Sequence, residues 1–445
     1  MWFIISLLVL FFTGFFDGHV SSMIALTLIF VLGFWTINSM KNKAEREHGV
    51  KVFGLIYSLY AISALIVSQS FLNGQWFYAS DSMKYIQKFG DVNTWTWNGI
   101  LYDLTRQYIL LDDSNGLFNV GLKTWSYWAN HYFDGSTVFY LTLFQTLFGV
   151  LAILEIYKLF TVYFEPSKAA KYACIFGSLS LFHIYSVLII RDIVIAYFYM
   201  VGIRKVIGRP RITDGIILLF VLIITTGIRL YTGLFFGVFI MFWLYKLVQN
   251  TRYAQYRIII VPLIVVGIAF VVSSVASSVL MESTSGQLEH YDELYDEGGG
   301  GVASFRSLPL GIRQIVTLLF TQLSLDKFGR FSISTSFSNY YLSTLSIIYK
   351  IFEFVIFYGL IYYYFIKGYL KKMTFDDKWL LIIMLFFVAI TMSTHVDVRR
   401  SMEAVPFFYL FYMLIAERYK RESWKKVNGT LISIGVIMMI AYAFL

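Results

Sequence analysis

The chain runs to 445 residues, 58% hydrophobic, 19% aromatic and only 14% charged, against about a quarter charged in a soluble domain. With a mean hydropathy of +0.67, that excludes a disordered chain, a secreted disulfide scaffold and an ordinary cytosolic enzyme, since a water-soluble fold cannot hide so much apolar surface. The single cysteine, Cys174, excludes an intramolecular disulfide and cysteine-based zinc or iron–sulfur sites; the net charge of +9 reads as basic cytoplasmic loops and not as nucleic-acid binding, because no basic patch is interleaved with a binding motif.

A helix needs about 20 apolar residues to cross the hydrocarbon core. On that ruler the sequence predicts an all-α polytopic membrane protein, a single integral membrane domain over 1–445. It has about thirteen transmembrane helices, within a range of roughly 11–14. They fall near 2–16, 20–39, 52–71, 136–160, 170–189, 192–207, 213–229, 231–247, 258–279, 344–366, 379–395, 404–417 and 429–445. The start Met1-Trp2-Phe3 has no basic n-region, so the first span is expected to stay in place rather than be cleaved as a signal peptide.

With the N-terminus in the cytoplasm, every inside connection is basic, and together they hold 23 of the 36 lysines and arginines. That agreement at each turn is the positive-inside pattern. Two long connections, 72–135 and 280–343, then fall outside; loops of that length usually carry function or disorder. The first is rich in Trp and Tyr of the kind found at membrane interfaces, and its segments 99–111 and 117–132 read as amphipathic helices lying on the outer leaflet. The second holds Gly298-Gly299-Gly300-Gly301 after the acidic stretch Glu289–Glu297. A divalent cation is conceivable there, but the spacing is not that of an EF-hand and a solvated acidic face is the simpler reading. No cofactor and no metal site is expected.

Four arginines stand against the positive-inside pattern, at the outer ends of spans: Arg191, Arg229, Arg399 and Arg400. A charge at the bilayer centre costs at least about 2.5–3.5 kcal/mol. Each can be a local structural pair, Arg191 with Asp192 and Arg400 with Asp397. Four from three hairpins at one depth instead suggest a shared anionic site, since guanidinium forks suit phosphate and carboxylate bidentately. The ligand would be a lipid-linked phosphate or pyrophosphate. Asp81 lies just beyond the span at 52–71. It is either a general base toward a sugar hydroxyl or the N-cap of a helix over 82–89. His395, beside Asp397 and the two arginines, is the second candidate base. His183, inside an apolar span, reads as a packing residue. There is no Walker A, no GxGxxG after a strand, no HExxH, and no chain of intramembrane acids of the kind that proton-driven pumps use.

Over residues 52–420 this layout resembles the polytopic glycosyl-transferring proteins of bacterial surface-polysaccharide clusters: the Wzy-type and EpsG-like repeat-unit polymerases (O-antigen, capsule or exopolysaccharide) and the wider GT-C class. The carriers are Asp81 and Tyr85 in the loop after a span, and a span ending in Ile189-Ile190-Arg191-Asp192. They continue with Ser307-Leu308-Pro309-Leu310-Gly311-Ile312-Arg313 in the second loop and the late Arg399-Arg400. GT-C enzymes place an acidic residue, often a pair, in the first outer loop. Here Asp81 is in the second and is followed by Ser82, which favours the polymerase. The resemblance implies transfer of a growing glycan from undecaprenyl pyrophosphate to an incoming lipid-linked repeat unit, at the outer leaflet of the bacterial cytoplasmic membrane. It implies that Arg191, Arg229, Arg313, Arg399 and Arg400, with Asp192 and Asp397, bind the pyrophosphate or lipid-linked glycan. Asp81 or His395 would activate the acceptor hydroxyl. The implied partners are a polyprenyl-linked oligosaccharide, membrane lipids and a chain-length regulator. Two other readings are a GT-C glycosyltransferase using a polyprenyl-phosphate sugar and a transporter or flippase of lipid-linked sugars.

Overall fold

The computed structural model describes residues 1–72, 85–86, 96–105, 116–208, 210–249, 255, 337–394, 402–418 and 421–444, and every regular element among them is helical. The chain opens with a hairpin. Helix α1 (Trp2–Asp17) stops at Gly18, whose φ of 74° is left-handed, and α2 (Val20–Asn38) returns. Helix α3 (Lys43–Leu72) starts well before the predicted span at 52, because Lys43-Ala44-Glu45-Arg46 are strong helix formers that prolong the helix past its apolar part. In the first long loop α4 (Trp97–Asp103) and α5 (Gly116–Tyr132) are described. Helix α5 does not merely rest on a leaflet: Phe118, Leu122 and Ala129 are in the core. Trp125 Nε1 donates to the Tyr140 carbonyl and Tyr140 OH returns a bond to the Trp125 carbonyl, both 2.9 Å.

Helix α6 (Val138–Phe160) is the axis of the molecule. Its first turn is capped by the Thr137 hydroxyl, which accepts from Tyr140 N at 3.0 Å, and 89% of its most apolar window is buried. The sequence predicts one span over 170–189; the structure instead has α7 (Pro166–Leu179), α8 (Leu181–Tyr185) and then non-helical residues 186–190. Helices α9 (Asp192–Ile207), α10 (Asp214–Ile228) and α11 (Leu230–Gln249) follow close to the predicted limits. Helix α12 (Phe337–Leu360), prolonged by a π-helical turn at Ile361–Ile366, starts inside the second predicted loop. A 3-10 turn (Tyr369–Lys372) leads into α13 (Phe375–Thr394), α14 (Val405–Arg418) and α15 (Arg421–Phe444).

Four described helices are long and apolar enough to cross a bilayer: Val20–Asn38, Lys43–Gln69, Val138–Phe160 and Thr344–Ile366. Trp2–Asp17, Asp214–Ile228 and Phe235–Gln249 are apolar but shorter. Thirteen full spans are therefore not reached among the described residues. Helices such as α7, with 14 residues, and α10, with 15, rise only about 21–23 Å against a hydrocarbon core of about 30 Å. The predicted span 258–279 and most of the loop 280–343 lie outside the described residues. The outward faces are apolar: Leu8, Phe11, Phe12 and Phe15 on α1, and Ile216, Leu219, Phe220 and Ile223 on α10, are all exposed. Contiguous surface of this kind is a liability in water and the normal state against lipid tails. The fold is that of an α-helical membrane protein.

The polar connections sort into two groups. One is a continuous set of contacts among the basic connections. Tyr157 OH donates to the Glu45 carbonyl, Lys158 and Arg204 both pair with Glu155, and Lys205 pairs with Asp214. Lys246 pairs with Asp376, and Tyr163 OH donates to Asp377. The other group joins residues 17–22 to 134–137. Asp134 accepts from Val20 N at 2.6 Å and Ser21 N at 2.9 Å, Ser21 donates to the Gly135 carbonyl, and Ser22 and Thr137 donate to Asp17. Connections assigned by sequence to the same side thus meet one another.

Asp134 is the remote cap of α2. Partial desolvation pushes its carboxyl upward, but the N–H donors of Ser21 and Val20 outweigh it and hold it below the ordinary carboxylate value. A carboxyl depressed in the folded state contributes stability that is full above its unfolded value of about 3.9 and is lost as pH falls through the folded value. Asp134→Ala is expected to cost about 1 kcal/mol at neutral pH, the usual worth of a helix cap. Its thermal midpoint in detergent should also fall less than that of the wild type on acidification below about pH 4. Equal midpoints at neutral pH would mean that solvent caps α2 as well as Asp134 does.

Candidate functional site

Helix α9 begins at Asp192, and a carboxylate in the first turn suits the positive end of the helix dipole. Arg191 precedes it, half-buried, with its carbonyl accepting from Val194 N and Ile195 N at 3.1 and 3.2 Å. Arg229 forms the hinge between α10 and α11. Its backbone is extended (φ −156°, ψ 109°), its N–H donates to the Thr225 carbonyl at 2.9 Å, and its own carbonyl accepts from Gly233 N at 3.1 Å. The break therefore leaves neither backbone group of Arg229 unsatisfied, which a membrane interior requires. From this hinge the Arg229 guanidinium reaches across to the Asp192 carboxylate, and the two side chains are 4% and 3% exposed.

This is the pair that the local reading did not find: Asp192 bonds to Arg229 and not simply to its neighbour in sequence. Removing either member alone takes a counter-charge away from a buried ion, the costly case.

The depth of the pair follows from the helices that carry it. Helix α9 runs from Asp192 to Arg204, which pairs with Glu155, and α10 runs from Asp214, paired with Lys205, to Arg229. Helix α11 returns to Lys246, which donates to the carbonyls of Val206, Ile207 and Gly208. At 1.5 Å per residue the Arg229–Asp192 pair is about 18–25 Å along each helix from the basic connections. It belongs to the opposite end of the bundle.

Beside it lies the broken segment 180–191. Val187, Leu188, Ile189 and Ile190 are all buried. Irregular backbone at such depth persists only when protein groups satisfy it. Here Ser180 Oγ accepts from Phe182 N at 3.3 Å, Glu353 Oε1 on α12 accepts from Leu181 N at 3.3 Å, and Thr146 on α6 donates to the Ser186 carbonyl at 3.1 Å. Gly149 leaves the room for Ser186; a Cβ there would sit 2.1 Å from Ser186 Oγ. His183 is buried and contacted on three sides. Its Nε2 meets Ser63 Oγ at 2.7 Å, its Nδ1 meets Tyr349 OH at 2.6 Å, and its ring stacks on Tyr60 with centroids 5.0 Å apart.

Of the predicted site residues, Asp192 and Arg229 are brought together, and Arg191 directly precedes Asp192 in the chain. Asp81, Arg313, His395, Asp397, Arg399 and Arg400 lie outside the described residues. Sequence reasoning missed Glu353, although Lys350 and Glu353 at i, i+3 inside an apolar span were the visible signal, and both are buried. Among the described residues no group of three or more His, Cys, Asp or Glu side chains is arranged to hold a metal ion. No family model matches the chain, and no curated protein or solved structure matches it either. The fold and site define a class, an α-helical membrane protein with a buried arginine–carboxylate pair opposite its basic face.

Proposed function

We propose that the chain is a polymerase of lipid-linked oligosaccharide repeat units of a bacterial surface polysaccharide, working at the outer leaflet of the cytoplasmic membrane. The observation that supports this best is the buried Arg229–Asp192 pair with Arg191 beside it, at the end of three helices remote from the basic connections. The proposed topology has about thirteen spans, a cytoplasmic N-terminus and outer loops at 72–135 and 280–343. In the proposed reaction the bond from the anomeric carbon of the growing glycan to undecaprenyl pyrophosphate breaks. A new bond forms to a hydroxyl of the incoming repeat unit, whose proton passes to Asp81 or, failing that, His395. Arg191, Arg229, Arg313, Arg399 and Arg400 receive the negative charge that develops on the pyrophosphate, where fixed guanidinium groups in a dry site help most. Asp192 and Asp397 orient them. No cofactor enters the step, and a chain-length regulator is a natural partner.

One observation favours a second reading. A discontinuous helix deep in a membrane protein, such as 180–191 here, is a common feature of transporter binding sites. A flippase of lipid-linked sugars would use the same cations without a base, and a GT-C transferase would use them on a polyprenyl-phosphate sugar.

Elongation by the wild type and by Arg191→Lys tests the proposal. Lysine keeps the charge but loses the bidentate fork. With purified protein and lipid-linked repeat units, elongation is expected to fall about tenfold to a hundredfold, the worth of one hydrogen bond to a charged group, while protein level stays normal. Near-wild-type elongation by the lysine variant would make Arg191 an anchor, and no elongation by the wild type would favour the transporter.

A further inference from the structure

At the basic face, far from the Arg229–Asp192 pair, a cavity of about 150 Å³ opens between the end of the α12 π-turn, the 3-10 turn and the last turn of α14. Its lining is Tyr364, Tyr369, Lys372, Met373, Ile415 and Arg418. We infer that this cavity binds a phosphate group, most naturally the headgroup phosphate of an anionic phospholipid in the leaflet at that face. The inference stands apart from the proposed transfer reaction and survives its failure.

The argument begins with charge. Lys372 and Arg418 both line the cavity, and among the described residues neither forms a salt bridge; Lys372 lies over the Tyr369 ring, 4.7 Å from its centroid. The acids of the same segments are engaged elsewhere. Asp376 pairs with Lys246 at 2.8 Å, and Asp377 accepts from Tyr163 OH and Thr374 Oγ1 at 2.7 Å each. Glu417, adjacent to Arg418 in sequence, turns to Lys168 and Tyr172 at 2.8 and 2.6 Å. The C-terminal ends of the α12 π-turn and of α14 contribute about half a negative charge each, against two full cations.

Shape and chemistry agree with this. The Tyr364 hydroxyl is tied to the Phe411 carbonyl at 3.0 Å, which holds its ring as a fixed wall. Met373 and Ile415 add apolar lining to the cavity. Two cations beside apolar lining, at helix ends among the basic connections, fit a phosphate ester better than free phosphate. Basic pockets between helix ends are the usual place for acidic headgroups.

The test uses the full chain in nanodiscs of phosphatidylcholine with increasing phosphatidylglycerol, and counts retained lipid by native mass spectrometry. The wild type is expected to retain phosphatidylglycerol in preference to phosphatidylcholine. Lys372→Gln/Arg418→Gln should bind it roughly thirtyfold more weakly. Lys371→Gln, an exposed neighbour outside the cavity, should bind as the wild type does. Lys372→Arg/Arg418→Lys, which keeps both charges, should also retain the lipid and so guards against misfolding of the double glutamine variant. A parallel arm titrates inorganic phosphate. Displacement of the lipid by phosphate alone at similar concentration would assign the same site to a soluble phosphate. Equal retention by the wild type and the double glutamine variant, or no preference over phosphatidylcholine, would overturn the inference.

Discussion

Asp192→Ala is expected to lower the stability of the folded protein by about 3–5 kcal/mol, because it leaves the Arg229 guanidinium buried without its counter-charge. Both side chains are almost fully enclosed, so water cannot take the place of the carboxylate. The compensated variant Asp192→Leu/Arg229→Met should recover most of that loss, since well-packed apolar groups often replace a buried ion pair at no net cost. Thermal or denaturant unfolding in detergent measures both. The same pair of variants bears on function. If Arg229 only holds α9 to the α10–α11 hinge, the double variant regains elongation with its fold. If Arg229 also meets the leaving group, the fold returns and elongation does not. An Asp192→Ala protein that unfolds like the wild type would show that the pair carries no net energy, and the site would lose its structural basis.

The second large effect is expected at Gly233. A Cβ there would lie 2.2 Å from Thr226 Oγ1 and 2.4 Å from both the nitrogen and the Cα of Thr226. A side chain can rotate out of the way, but backbone atoms cannot, so Gly233→Ala must drive α10 and α11 apart next to the Arg229 hinge. Small residues at helix crossings serve this close approach in membranes, where packing takes over from the hydrophobic effect. The overpacking is expected to cost about 1–3 kcal/mol and to displace Arg229 from Asp192. Gly237, one helical turn further along α11, meets nothing within 4 Å. Gly237→Ala should therefore be neutral or raise stability by about 0.5–1 kcal/mol through helix propensity. Unfolding midpoints of the two alanine variants check the contrast, and similar midpoints would refute the close crossing.

The pattern of apolar runs and basic connections was legible because hydropathy acts locally: each segment of about 20 residues is sorted by lipid or water with little regard to its neighbours. The predicted segment 192–207 coincides with α9, and 213–229 differs from α10 by one residue at either end. The meeting of residues 17–22 with 134–137, and of the basic connections with one another, follows the same one-dimensional alternation. The position of Arg229 at a span end was readable for this reason as well.

The break at 180–191 and the partner of Asp192 were not readable. The run from 170 to 189 is mostly apolar, and its Gly177, Ser178, Ser180 and Ser186 do not by themselves forbid a helix through it. The break is held by the local Ser180 cap together with remote groups: Glu353 on the Leu181 amide, Thr146 on the Ser186 carbonyl, and the space beside Gly149. Asp192 has Arg191 next to it in the chain, yet its buried bond goes to Arg229, 37 residues away. Composition and spacing thus determined that this chain is an α-helical membrane protein and which connections are basic, because solvent sorts residues one segment at a time. Which polar groups meet inside the bundle was decided only by tertiary packing, because a buried charge or amide must take its partner from whatever helix lies beside it in space.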